Sequence, residues 1–348
     1  MVLTRRAFAS SAARVTRFFL GLVPAVGIHP FPVSAAQAGG PPFEVPVDCD
    51  MTKVCSIQKY FDHDPGPERM DYACGRLSKD GDVATDIRAP DYPTMERGLT
   101  VVAAAPGVVR ATRDGVQDIS VRNIGQEAIK GREAGNGVVI DHGDGWETQY
   151  SHMKRGSVLV RSGDRVITGQ PLGQIGLSGN TEFPHVNFAV RYRGRPVDPF
   201  VGLVETFSCS GERQPLWSEA ALASMPYHAS TALIAGFATD KPDADDARHG
   251  AYANERLPAS APALVFWADI SGTMAGDVQR IRIDGPDGRP VHRAETVLKE
   301  SNISWFAFSG LRRPQAGWRP GTYSGTFELV RNGQPVATIS DKIEIVGG

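Results

Sequence analysis

FPHVNFAV, residues 183–190, reads as a β-strand. Alternate residues of a strand share a face. His185, Asn187 and Ala189 therefore point one way, and Val186, Phe188 and Val190 the other. One face is apolar, and the other offers an imidazole beside an amide. Were residue 187 a histidine, the pair would read as half of a metal site. Upstream, short apolar runs alternate with glycine turns. TVVAAAPGVVRATRDG (100–115) reads as strand, turn, strand, and GNGVVIDHGDGWETQYSHM (135–153) as a hairpin with a tight Gly-Asp-Gly turn. SVLVRSGDRVITGQPLGQIGLSG (157–179) repeats the pattern. Residues 79–203 are thus predicted to form an all-β domain, an antiparallel sandwich or flattened barrel.

The chain has 348 residues, of which 41% are hydrophobic and 22% charged, which fits a globular protein of two ordinary domains. Its 38 glycines and 25 prolines suit a turn-rich β fold. The N-terminus has the form of an export signal. Arg5, Arg6, Arg14 and Arg17 precede the apolar run FFLGLVPAVGI, and Ala36-Gln37-Ala38 has the small-x-small form of a cleavage site. Thr4-Arg5-Arg6-Ala7-Phe8 also matches a twin-arginine signal, so both export routes stay open. The apolar run, 11 residues with an internal proline, is too short to span a bilayer. Of the 37 basic residues, four lie in residues 1–38, which leaves 33 against 39 acidic ones and a net charge of −6 for the remainder. That balance argues against a nucleic-acid partner. Nothing else in the chain reads as an integral membrane helix.

Cys49, Cys55, Cys74 and Cys209 are even in number, and in an exported chain they read as two disulfides. Three pairings are open. The favoured one joins Cys49 to Cys55 in a short local loop and Cys74 to Cys209 across the two ends of one domain. Residues 39–78 read as an irregular, cysteine-containing lead. Residues 204–250 read as a helical and linker segment, with alanine-rich helical signal in WSEAALASMPYHASTALIAGF (217–237) broken by Pro226. From 251 to 348 strands return, with hairpin turns at Pro286-Asp287-Gly288 and Asn332-Gly333. Roughly seven short strands at this spacing suggest an immunoglobulin-like sandwich.

Three stretches of the first β domain belong together: KDGDVATDIRAPDY (79–92), QYSHMK (149–154) and FPHVNFAV. With Gly163-Asp164-Arg165-Val166, Gly169-Gln170 and Gly176-Leu177-Ser178-Gly179, they resemble the lysostaphin/LytM-type zinc metallopeptidases of bacterial cell walls. That family carries H-x-x-x-D on one strand, a histidine after a hairpin, and H-x-H on a later strand. The resemblance implies the following roles. Asp86 keeps the aspartate ligand position, while Asp82 stands where a histidine ligand belongs and Ala84 replaces the usual glycine. His152 and His185 match the two catalytic histidines. Asn187 occupies the remaining ligand position.

The family implies zinc, yet this donor set suits it poorly. Catalytic zinc takes three ligands from His, Cys, Asp and Glu. Two carboxylates and an amide make an all-oxygen set better matched to magnesium, calcium or manganese. Proton transfer by His152 and His185 alone is worth only about two to four orders of magnitude. The first reading is therefore a pseudopeptidase that binds peptidoglycan peptide or regulates a cell-wall hydrolase. The alternative is an active metal-dependent endopeptidase in which His185 replaces residue 187 as ligand. The third is a structural role with a vestigial groove. His63 and His142 read as loop and hairpin residues, and Asp62, Asp64 and Asp71 as loop stabilisers that lack an EF-hand's order. Tyr150 and Phe183 read as core or groove lining, and Trp267, Trp305 and Trp318 as sandwich core.

Overall fold

A computed structural model describes residues 40–347. The export signal falls outside these residues.

The FPHVNFAV stretch forms the strand His185–Tyr192. It lies inside an eight-stranded antiparallel sheet, between Thr85–Arg88 on one side and Trp146–Met153 on the other. Val186, Phe188 and Val190 are fully buried in one core with Ile87, Tyr150 and Trp217, as the alternation requires. The opposite face carries His185 and Asn187. Beyond Trp146–Met153 the sheet continues through Asn136–Gly143, Gly107–Arg113 and Arg165–Val166. A three-stranded sheet of Val47–Asp48, Thr100–Val102 and Pro171–Gln174 packs against the same core.

Two segments differ from their sequence reading. The lead is not merely irregular, because Ser56–Lys59 is a strand that pairs with Thr85–Arg88 and ends the large sheet. Four residues interrupted by a bulge between Ile57 and Lys59 give too little alternation to be seen in sequence. The helical signal after Trp217 survives only as Glu219–Ser224, where the Ser218 side chain caps the Ala221 amide and the helix stops before Pro226. Thr231–Ala238 is a strand instead, paired antiparallel with Ala263–Thr273. Its β-branched residues and its partner, some 30 residues on, outweigh the helix propensity of its alanines.

The C-terminal module is a sandwich. A sheet of three strands (Thr231–Ala238, Ala263–Thr273, Asn302–Arg312) faces one of five (Arg256–Pro258, Gln334–Val346, Gly321–Arg331, Val278–Asp284, Pro290–Val297). Phe237, Phe266 and Ile270 from the first meet Ile281, Phe327 and Ile343 from the second. Trp318 is buried in it, its indole donating to the Ala261 carbonyl at 2.7 Å, and Trp305 packs against it half-buried. Trp267, expected in the same core, points to the other face of its sheet, where it is buried under Ala247 and Tyr252, because its neighbours Phe266 and Ala268 take the core-facing positions. Arg69 reaches the Ser301 carbonyl and Tyr92 stacks on His249 at 3.9 Å, so the sandwich leans on the first module.

Cys49 is bonded to Cys55, and Cys74 to Cys209. The first bridge closes a turn of separation 6 that delivers Ser56–Lys59 to the sheet edge, and the second spans a separation of 135. In chain-entropy terms the long bridge is worth about 5 kcal/mol and the short one about 2 kcal/mol. Urea denaturation of Cys74→Ser/Cys209→Ser should therefore show the larger loss of stability than Cys49→Ser/Cys55→Ser. Equal losses contradict this ranking.

Candidate functional site

Sheet register assembles the site. Asn187 lies directly opposite Asp86 on one neighbouring strand and opposite Ser151 on the other. Lys59 lies opposite Asp86 on the far side. Lys59, Asp86, Asn187 and Ser151 thus form one row across four strands. Asp82 comes from the loop before Thr85–Arg88, held by its amide donating to the Lys79 carbonyl.

Lys59 is the residue that sequence motifs did not reveal. Its Nζ sits 2.7 Å from Asp86 Oδ2 and 2.9 Å from Asp82 Oδ2. The contact to Asp86 is an ion pair without hydrogen-bond geometry, so Asp86 Oδ2 accepts no hydrogen bond despite full burial. Asp86 Oδ1 accepts from the Asn187 amide at 2.8 Å and lies 3.4 Å from His185 Nε2. Burial opposes ionisation of Asp86, but His185 and Lys59 prevail and hold it well below the usual carboxylate range. Burial also opposes the charge on Lys59, and is overcome by Asp86 and Asp82, which hold the ammonium above the ordinary lysine value. Burial and the neighbouring Asp86 push Asp82 up, against the pull of Lys59. The row therefore contains a fixed cation bound to a fixed carboxylate.

The two histidines meet beside this row, with ring centroids 4.7 Å apart. His185 Nδ1–H donates to the Phe183 carbonyl at 2.9 Å, and His152 Nδ1–H donates to the Ser178 carbonyl at 2.8 Å. A carbonyl only accepts, so in each ring Nε2 is the nitrogen not engaged by the backbone, and that of His185 faces Asp86. His152 sits at φ 62°, a left-handed conformation uncommon outside glycine, which turns its ring back over His185. Burial, reinforced by His185, brings the His152 pKa down to about 3.

Zinc does not fit these residues. The space between the two carboxylates is taken by the Lys59 ammonium, and Asn187 turns an N–H, not its oxygen, toward Asp86. Among the described residues no group of three or more His, Cys, Asp or Glu is placed to hold a metal ion. Asp82, Asp86, His152, His185 and Asn187 nonetheless share one groove of about 510 Å³. Phe183 lines it, and the sandwich contributes Arg248, Ile303 and Ser304 to its wall. Tyr150 is not part of it, being fully buried with its hydroxyl accepting from the Ala104 amide at 2.8 Å.

The remaining polar residues serve structure. His63 pairs with Asp198 at 2.6 Å, and His142 donates or accepts between the Pro106 carbonyl and the Thr148 hydroxyl. Asp62 accepts from the amides of Asp64, Met70 and Gly81, and Asp71 from those of Ala73, Gly75 and Leu77. Both are loop-closing carboxylates.

Two outcomes test the site's electrostatics. Lys59→Met leaves Asp86 buried without its cation, and should cost about 3–5 kcal/mol in denaturant melts. Adding Asp86→Leu should recover most of that loss, and a double variant no better than the single contradicts the pairing. The second concerns pH. His152 binds its proton less readily folded than unfolded, where its value is near 6.5. Stability should therefore fall as pH drops from 6.5 toward 3, because only the unfolded chain takes up the proton there. By NMR the His152 ring should stay neutral down to about pH 4, and a midpoint near 6.5 is the contrary result.

Residues 91–199 match the Peptidase family M23 model, a segment that begins just after Asp86. Peptidoglycan DD-endopeptidase ShyA of Vibrio cholerae is 42% identical over 65 residues, 19% of this chain and 15% of that protein. Peptidoglycan DD-endopeptidase ShyB of the same organism is 31% identical over 134 residues, 38% of this chain and 25% of that one. The chain thus spans a quarter or less of the length of these relatives. A zinc-containing peptidase from Vibrio cholerae aligns in structure over 45% of this chain and 39% of its own, with 27% identity and a TM-score of 0.31. The matched segment holds the His152 and His185 stretches, and residues 91–199 of this chain are those of a peptidase family M23, LytM-type domain.

Proposed function

We propose that this protein is a pseudopeptidase: it keeps the groove of a LytM-type domain, binds peptidoglycan peptide or a cell-wall hydrolase in it, and does not itself hydrolyse peptide bonds. The observation that carries this reading is Lys59. Hydrolysis of an amide in this family's manner needs a metal that lowers the pKa of bound water and polarises the carbonyl. Here the Lys59 ammonium supplies the positive charge at the two carboxylates instead, at 2.7 and 2.9 Å. An ammonium compensates Asp86 electrostatically, but it has no open coordination position and offers no Lewis-acid site to a carbonyl. His152 and His185 keep their Nε2 atoms clear of backbone carbonyls, so proton transfer remains chemically possible without water activation.

The cell envelope is the compartment this reading assigns. Relatives are named as peptidoglycan endopeptidases, two disulfides suit an oxidising compartment, and residues 1–38 have the form of an export signal. Among the described residues no helix is long and apolar enough to cross a membrane. The competing reading, an active metal-dependent endopeptidase, draws on the surviving histidine pair at 4.7 Å.

Calorimetric titration of the oxidised, chelator-stripped protein separates the two. The pseudopeptidase reading expects no binding at micromolar zinc, retention on insoluble wall material, and no release of soluble fragments. Asp82→His with Asn187→His and Lys59→Ala should restore tight one-to-one zinc binding. Tight binding by the parent, with wall digestion that His185→Ala abolishes, establishes the enzyme instead.

A further inference from the structure

Arg88 lines the same groove and belongs to no ion pair. It lies opposite His185 in the sheet, and the residue is 1% exposed. Its guanidinium donates to the carbonyls of Ala89 at 3.0 Å and Pro90 at 3.2 Å and to the side-chain oxygen of Gln58. All three acceptors are neutral. They use three of the five N–H donors that an arginine carries. The Phe183 ring sits 4.9 Å from the guanidinium carbon.

The other basic groups with little exposure are matched. Lys59 has Asp82 and Asp86, and Arg331 has Asp277 at 2.7 Å. Arg248, across the groove, grips Asp269 at 2.7 and 2.8 Å. That last pair leaves Asp269 committed elsewhere, and among the described residues no carboxylate stands within 4.0 Å of Arg88. A charge removed from water is costly unless an opposite charge meets it. Arg88 is therefore a cation built into a cavity wall with donors to spare and, among the described residues, no carboxylate in contact with it, Asp269 and Asp91 acting only from a distance. The cavity, about 510 Å³, has the size of a small-ligand pocket.

We propose that the groove receives the free carboxylate of a short peptide, bound at Arg88 with Phe183 beneath it and the Arg248–Ser304 wall of the sandwich opposite. The inference rests on the peptide-binding reading above and deepens it by naming the group recognised. Lys59 compensates one of the two carboxylates at its end of the groove, Asp82 and Asp86 crowd negative charge there, and the ligand's negative charge therefore belongs at the Arg88 end. A planar guanidinium suits a carboxylate in a way that an ammonium does not.

The test is calorimetry on the full oxidised protein with two probes, diacetyl-Lys-D-Ala-D-Ala and the same peptide as its C-terminal amide. The acid should bind about 10- to 100-fold tighter than the amide, the range of a charge-assisted hydrogen-bonded pair. This comparison needs no variant. Arg88→Gln should abolish the preference, and Arg88→Lys, which keeps the charge but not the fork, should retain part of it. Equal affinity for acid and amide overturns carboxylate recognition while leaving peptide binding intact. Failure of both probes, in a protein that still sediments with insoluble wall, also overturns the site at Arg88 and leaves the wall-binding reading standing. Failure of both probes and of wall binding sinks the two together.

Discussion

A fully buried carboxylate needs hydrogen-bond donors or a cation to meet it, and at Asp86, whose Oδ2 accepts no hydrogen bond, the requirement falls on a cation. The cation is Lys59, delivered by a strand of four residues at the end of the large sheet. For Lys59 to arrive there, the lead must pair with Thr85–Arg88 in one register, and the Cys49–Cys55 turn sets the strand's entry. For Asp86 to stay oriented, Asn187 must face it from the other neighbour and donate to its second oxygen. Lysine, aspartate and asparagine thus work as one unit. An ammonium compensates the charge of Asp86 and offers no coordination chemistry.

The alternation in FPHVNFAV was sufficient to place Val186, Phe188 and Val190 in the core and His185 and Asn187 in the groove, because a strand's two faces follow from its geometry. The proximity of Asp86, His152 and His185 was likewise legible, through motif spacing and resemblance. Lys59 was not. It lies 27 residues before Asp86 with no motif around it, and only β pairing brings the two together. The same holds for Thr231–Ala238, whose alanines favour a helix locally and whose long-range partner decides otherwise. Arg88 was hidden for a different reason. A lone arginine carries no signal until the structure shows that nothing acidic meets it.

The groove has two owners. Its floor is the large sheet of the first module, whereas Ile303 and Ser304 on its wall come from the sandwich and Arg248 from the short helix Ala244–Arg248 that follows the sandwich strand Thr231–Ala238. Arg248 is tied to Asp269 and to the Ser304 hydroxyl, both in strands of the sandwich. The helix that carries it touches the first module through the Tyr92–His249 stack.

The shared wall makes the groove a clasp between two bodies. A ligand that fills it meets both the sheet and the sandwich, so its contacts add to the few that already join the two, at Arg69 and at Tyr92.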